Sequence, residues 1–195
     1  TRGFRDVLEI GRIQRPAEGL YDFNVDNPPP LVPRYLRLEV DERIAADGST
    51  ISPLDEKSVR ALLPLLKRHG AETIAVSLLF SFMNPDHERR IRKILAGKLP
   101  GISISLSSDV APEFREFERT STVVISAYLQ PKVENYIREL GKRLRAQYRN
   151  VDLRLIQANG GATSPEAIMG KCVNLINSGP AGGATAAAHI GKAIG

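Results

Sequence analysis

The chain has no tryptophan, a single cysteine (Cys172), two methionines and only 6% aromatic residues. One cysteine excludes an internal disulfide and fits a reducing compartment, so a cytoplasmic location is expected. No apolar run reaches the length needed to span a bilayer, and no signal-peptide pattern opens the chain, so no membrane partner is expected. Phosphate-binding signatures are missing too: neither G-x-x-x-x-G-K-[ST] nor G-x-G-x-x-G occurs. His69, His87 and His189 stand far apart, without metal-ligand spacing, and Cys172 has no adjacent partner that would mark a nucleophile. No catalytic constellation and no metal ligands are read from the residues alone.

What is present is ordinary globular material, 42% hydrophobic and 25% charged, with a net charge of +5 over 195 residues. The basic residues come in short groups, Arg89-Arg90-Ile-Arg92-Lys93 and Lys142-Arg143-Leu-Arg145, on segments with helical periodicity. Nucleic-acid binding would want aromatics interleaved with these charges, and none sits in them. Solvated helix faces are the plainer explanation, and no nucleic-acid partner is expected.

Phe4, Val7 and Leu8 fall at helical spacing, with Gly11 where a C-terminal cap belongs. Residues 12–33, with Arg15-Pro16 and Pro28-Pro29-Pro30, predict an extended connector. Alternation from Arg34 to Ile44 predicts a half-buried strand, turning at Asp47-Gly48 into a hairpin. Ser52-Pro53-Leu54-Asp55 reads as a helix start capped by Ser52, and Pro64 should kink that helix. The run Thr73–Phe80 suits a parallel strand covered on both faces. A helix from Asn84-Pro85-Asp86 and a strand over Ile102–Leu106 follow, so the order points to an open α/β sheet. Phe114, Phe117, Val124 and Tyr128 predict one buried helical stripe, and Val133, Tyr136, Ile137, Leu140 and Leu144 a second. Pro131 divides them, as two helices or one kinked one. The charge-dense Glu113–Arg119 offers helix-surface ion pairs, or a site.

Val151–Ile156 and Val173–Ser178 read as the last two strands. Ligands of open α/β sheets gather outside the carboxyl ends of strands, which makes Asn159, Gly160, Gly161, Ser178 and Gly179 the candidate binding residues. From Ser178, as N-cap, runs a helix with Pro180 in its first turn and small residues at every fourth position: Gly179, Gly183, Ala187 and Gly191. Each glycine costs roughly 1 kcal/mol against alanine in a helix. Such a stripe suits close approach by another helix or by a ligand.

Collinear segments along nearly the whole chain carry a resemblance. They are Thr1-Arg-Gly-Phe-Arg-Asp-Val-Leu-Glu-Ile-Gly-Arg12, Arg15-Pro16, Leu20-Tyr21-Asp22, Ser77-Leu-Leu-Phe-Ser-Phe-Met-Asn-Pro-Asp-His-Glu88 and Glu118-Arg-Thr-Ser-Thr122. Ala127-Tyr-Leu129, Gln157-Ala-Asn-Gly-Gly161 and Ser178-Gly-Pro-Ala-Gly-Gly183 continue the set. Together they resemble the hydantoinase A/5-oxoprolinase family. The chain departs from that pattern at Ile13, where glutamine is frequent, and at Ile125-Ser126, where an asparagine is common.

The resemblance implies an α/β fold with an open, largely parallel sheet, flanking helices and a β-hairpin insertion. That fold would form part of a lobe like those of actin, sugar kinases and heat-shock ATPases. Residues 1–177 would be the later part of the first lobe and 178–195 an inter-lobe helix, with both termini cut inside a larger protein. The two Asp-Gly-Gly-Thr-type phosphate loops of such enzymes are not in this sequence. The activity implied is ATP- and Mg²⁺-dependent hydrolysis of cyclic amides, in which phosphorylation activates a carbonyl. Alternatives are a ketone carboxylase subunit, another phosphotransferase of the superfamily, or a non-catalytic interaction module. A small cyclic amide or ketone substrate and a hydantoinase B-type partner are implied. Residues 1–195 alone should neither hydrolyse nor tightly bind ATP. The glycine stripe should face open space unless a second lobe covers it.

Overall fold

Local signals at Gly11, Asp47-Gly48 and Asp55 decide where the first elements start and stop. The computed structural model describes residues 1–11, 22, 24, 28–148 and 150–194, and the chain divides into two units, Thr1–Ile125 and Ser126–Gly195. In the first, α1 (Val7–Ile10) ends at Gly11, whose φ of +56° is a glycine conformation. Most of the connector expected over 12–33 lies outside the described residues. Pro28–Pro30 have no regular structure.

The strand expected over Arg34–Ile44 does not form. Arg34–Leu36 is a 3₁₀ turn, and only Arg43–Ile44 (β1) pairs, antiparallel, with Thr50–Ser52 (β2) across the expected Asp47-Gly48 turn. The alternation misled because two of its polar residues point inward: Arg37 and Glu42 are buried. The Arg37 guanidinium donates to Glu9 Oε2 at 2.6 Å and to Asp6 Oδ1 and the Arg5 carbonyl, both at 3.3 Å. Charged side chains can be buried when such partners offset desolvation.

Ser52 ends β2 and caps nothing. Asp55 is the cap of α2 (Glu56–Ala61), its Oδ1 accepting from Lys57 N at 2.9 Å. The chain breaks at Leu62 and restarts as α3 (Leu63–Arg68), which puts Pro64 in a first turn, where its missing N–H costs no bond. β3 (Thr73–Val76) and β4 (Ser103–Leu106) pair in parallel, Thr73 opposite Ser103 and Val76 opposite Leu106. The crossover between them holds α4 (Asp86–Ala96), with Ile91, Ile94 and Leu95 inward as its periodicity requires. These residues join Val40, Val59, Val76, Leu78, Leu99 and Leu106 in the main core. β3 is shorter than the apolar run that contains it, because Leu78 and Leu79 turn inward beyond its end. The short α5 (Ser107–Val110) follows β4 directly.

The boundary between the units falls inside one continuous helix, α6 (Glu116–Gln147), with Pro131 in its interior. Its inward residues include Arg119, Val123, Ser126, Ala127, Gln130 and Ile137, whereas Phe114, Tyr128 and Tyr136 of the expected stripes are exposed. In the first half of the helix bonded polar and small side chains take the inner face, which apolarity alone misplaced. In the second half the expected stripe holds, with Ile137 buried, Val133, Leu140 and Leu144 half-buried and Tyr136 alone exposed.

In the second unit, β5 (Leu155–Ile156) and β6 (Ala162–Thr163) form an antiparallel hairpin. α7 (Pro165–Ile168) follows, capped by Ser164 Oγ accepting from Ala167 N at 3.3 Å. The strand expected over Val173–Ser178 is instead a 3₁₀ helix, Cys172–Leu175. Local bonds (Asn174 N to Lys171 O, Ile176 N to Val173 O) satisfy its backbone without a strand partner. α8 (Ser178–Ile194) begins at Ser178 itself, after Asn177 at φ +59°, so Ser178 lies within the helix and is not its N-cap. The architecture is thus α/β. Its described strands form three two-stranded sheets, of which β3–β4 is parallel. Among the described residues, no helix is long and apolar enough to cross a membrane.

Candidate functional site

Four buried polar side chains, Glu88, Ser81, Ser107 and Arg119, gather where β3 and β4 end. Glu88, on the inner face of α4, accepts from Leu78 N at 2.9 Å, from Ser107 Oγ at 2.7 Å and from Ser108 N at 2.9 Å. One carboxylate therefore ties together the segments that leave both parallel strands. Ser107 Oγ also lies 3.0 Å from Ser81 Oγ. Arg119, in the first turn of α6, reaches the same loop and donates to the Leu78 carbonyl at 2.8 Å and the Glu113 carbonyl at 2.9 Å. Its guanidinium lies over the Phe82 ring, 5.3 Å from the centroid. The nearest ion-pair contact is long, 3.9 Å to Glu116. Burial pulls the Arg119 pKa down, and the Glu116 and Glu88 carboxylates draw it back. Next to Arg119, Thr120 Oγ1 meets Ser77 Oγ at 2.8 Å, just past the end of β3.

The charge-dense Glu113–Arg119 segment thus has two faces. Arg115 and Glu118 face solvent or lie half-exposed with a loose 3.9 Å contact, whereas Arg119 is only 2% exposed. Within the same unit, a cleft of about 350 Å³ is lined by Leu8, Ile10, Pro28, Pro30, Phe117 and Ser121 among others.

The candidate residues read from sequence lie in the second unit. Asn159, Gly160 and Gly161 form the turn of the β5–β6 hairpin, not the carboxyl end of a parallel strand. The turn is closed by Gly161 N to Asn159 Oδ1 at 2.9 Å, Gly160 N to Gln157 O at 2.9 Å and Gln157 N to Gly161 O at 2.8 Å. Gly160 has φ +79°, and a Cβ placed there would stand 2.7 Å from Thr185 Oγ1 of α8. A Cβ at Gly182 would be 3.3 Å from Ile156 Cγ2. The hairpin turn and the first half of α8 are therefore neighbours, as grouping those residues required, but through Gly182 and Thr185. The glycines of the stripe, Gly179, Gly183 and Gly191, would meet nothing within 4 Å. That agrees with the expectation that the stripe faces open space.

His87 Nδ1 pairs with Glu42 Oε2 at 2.8 Å, His69 follows α3 as its C-cap with its ring 5.4 Å from that of Tyr35 and tilted by 47°, and His189 lies exposed on α8. Cys172 is fully buried, and desolvation, reinforced by the Glu134 carboxylate, pushes its thiol up to about 11. A thiol so placed is a poor nucleophile. Among the described residues, no group of three or more His, Cys, Asp or Glu could hold a metal ion. Residue-level reading missed Glu88, and it marked Arg119 only as part of the charge-dense Glu113–Arg119 segment, without its burial. Each sits in a segment that carried the family resemblance, yet nothing in periodicity marks a charged residue as inward.

The chain matches the family model described as hydantoinase/oxoprolinase N-terminal region over residues 1–99, and the one described as hydantoinase/oxoprolinase over 119–195. It is 34% identical over 197 residues to the caprolactamase subunit alpha of Pseudomonas jessenii, covering 100% of this chain and 28% of that one. The crystal structure of the ATP-dependent caprolactamase from the same organism superposes with a TM-score of 0.78 at 36% identity, over 93% of this chain and 26% of the other. A nucleotide-free acetone carboxylase structure gives 0.85 at 29% identity, over 100% and 28%. The chain therefore spans less than a third of these relatives. Two matching family models that together leave only residues 100–118 uncovered mean that the chain belongs to the hydantoinase/oxoprolinase family.

Proposed function

We propose that this chain is part of an ATP-dependent enzyme that opens cyclic amides by phosphorylating the amide oxygen and so exposing the carbon to water. The observation that carries this reading is collinearity along the whole of this chain with part of the caprolactamase subunit, 34% identical over 100% of this chain and 28% of that subunit. Bound ATP supplies the phosphoryl group. The protein's share of such chemistry is chiefly positioning and electrostatic stabilisation. On this reading residues 1–177 belong to the first lobe of the enzyme and α8 is the helix that leads to the second. Ser178 and Gly179, in the first turn of α8, fit a phosphate: the helix is 17 residues long, and nothing stands within 4 Å of a Cβ at Gly179, although Pro180 offers no N–H and the Ala181 N–H already donates to the Asn177 carbonyl at 3.3 Å. Asn159, Gly160 and Gly161 are the neighbouring backbone-rich turn. No residue of this chain is assigned to Mg²⁺, whose ligands belong to parts of the protein beyond these residues. A hydantoinase B-type partner subunit and a reducing, cytoplasmic setting complete the proposal.

A second reading, ATP-dependent ketone carboxylation, is favoured by the superposition on acetone carboxylase over 100% of the chain. The full-length protein with its partner decides between them. ATP hydrolysis stimulated by lactams or hydantoins supports the first reading, and hydrolysis that requires a ketone with bicarbonate supports the second. Turnover indifferent to all of these compounds defeats both.

A further inference from the structure

Leu78 is held in an unusual way. In a sheet, the N–H and C=O of one residue bond to a neighbouring strand. Here the N–H donates to the Glu88 carboxylate at 2.9 Å and the carbonyl accepts from the Arg119 guanidinium at 2.8 Å. Both side chains are buried, Glu88 completely and Arg119 to 2% exposure. Two opposite charges thus face each other through a stretch of main chain, one from α4 and one from α6. Neither would be tolerated in the core without that arrangement. The loop between them, Ser77 to Asn84, is held at other points as well. Leu79 N donates to Thr1 Oγ1 at 3.1 Å, Ser81 Oγ meets Ser107 Oγ, and Asn84 Nδ2 donates to the Gly48 carbonyl at 3.0 Å. Phe80 is kept at φ +53°, a conformation costly for a bulky residue. Such strain persists where surrounding contacts over-determine the backbone.

We propose that Glu88 and Arg119 are a pair of positioning residues that lock the Ser77–Asn84 loop, and so place the Ser77–Thr120 hydroxyl pair at the carboxyl end of the parallel strands for use by the enzyme. The carboxyl end of parallel strands is where an α/β fold meets its ligand. The hydroxyl pair at 2.8 Å is the polar group the loop carries to that end outside the Glu88 bracket. Glu88 and Arg119 do not themselves touch the reacting atoms; they act through the backbone of Leu78. The inference rests on the enzymatic reading above for its catalytic consequence, but not for the loop's immobilisation.

The test uses the full-length protein carrying Glu88→Gln, Arg119→Met or Arg119→Lys. Hydrogen exchange over residues 77–84 should quicken by about tenfold or more in Glu88→Gln and Arg119→Met, since each removes a charged partner of Leu78. Lactam-dependent kcat should fall by roughly ten- to a hundredfold with the KM for ATP unchanged, as misplacement of a positioned group does. Arg119→Lys, which keeps a charged donor, should recover part of both. Unchanged exchange in Glu88→Gln and Arg119→Met overturns the proposal, and so does fast exchange with unchanged kcat. A wild-type protein without lactam- or ketone-dependent turnover would defeat the enzymatic reading instead. The exchange data would then decide by themselves whether the pair holds the loop.

Discussion

Replacing Gly160 by alanine isolates what the hairpin turn needs from α8. Gly160 has φ +79°, and an L-residue held there costs about 1–2 kcal/mol. The added methyl would also lie 2.7 Å from Thr185 Oγ1, closer than real side chains come. Thr185 must then rotate and give up its 3.0 Å bond to the Ala181 carbonyl, a loss of about 1 kcal/mol. The two effects sum to roughly 2–3 kcal/mol, or a melting temperature lower by about 5–10 °C for a chain of this size. Thermal unfolding followed by circular dichroism reads the shift. Adding Thr185→Ala should cost almost nothing further, because the Thr185 bond is already lost in Gly160→Ala. The double mutant should therefore fall about 1 kcal/mol short of additivity in the double-mutant cycle, with the φ penalty left in place. Gly183→Ala is the contrast: nothing lies within 4 Å of the new methyl, and helix propensity should raise stability by up to about 1 kcal/mol. A Gly160→Ala protein that melts within about 1 °C of wild type would refute the packing described between turn and helix, and a Gly183→Ala protein that melts lower would refute the open space described at Gly183.

Three further outcomes are expected. Asp55→Ala removes the cap of α2 and should lower stability by about 1 kcal/mol in urea titration, with the m-value unchanged. Cys172, buried with its thiol raised to about 11, should react with an aromatic disulfide at pH 8 only as fast as the protein opens, and immediately once denaturant is added. Asp6 is held below its ordinary value of 3.8, first by the Arg34 hydrogen bond and then by the surrounding arginines. A depressed carboxylate stabilises the fold above its unfolded pKa, and that contribution is lost as pH falls through the folded value. The stability gap between wild type and Asp6→Asn should therefore be full at pH 6 and close below about pH 4.

Local chemistry was legible wherever a short segment satisfies itself. Gly11 ends α1, Asp47-Gly48 turns the first hairpin, and the apolar spacing of Ile91, Ile94 and Leu95 places α4 correctly. The parallel pairing of Thr73–Val76 with Ser103–Leu106 was also readable, because a continuous apolar run, a helix and a second run suggest one topology. Errors came where polar residues turn inward. Arg37 and Glu42 broke the alternation rule for Arg34–Ile44, and Arg119 and Ser126 displaced the buried face of α6. Val173–Ser178 failed for another reason. Strand and 3₁₀ helix are close in composition over six residues, and i→i+3 bonds were available on the spot.

The candidate site divides along the same line. Glycine and asparagine at 159–161 announced a turn, and the residues from Ser178 announced a helix, because both are properties of a few adjacent residues. That Gly160 lies against Thr185, and Gly182 against Ile156, required the folded second unit. Likewise, the resemblance to hydantoinases and oxoprolinases was carried by segments containing Glu88 and Arg119. Their meeting on Leu78 joins residues 10 and 41 positions away along the chain. Tight turns, helix starts to within a few residues and family membership were set by the sequence alone, since each depends on short-range geometry or on the order of segments, though the capping residue itself was misplaced at Ser52 and Ser178. Which charged groups are buried, and which peptide they hold, was decided only by tertiary structure. A charge leaves water only when distant partners are already in place to receive it.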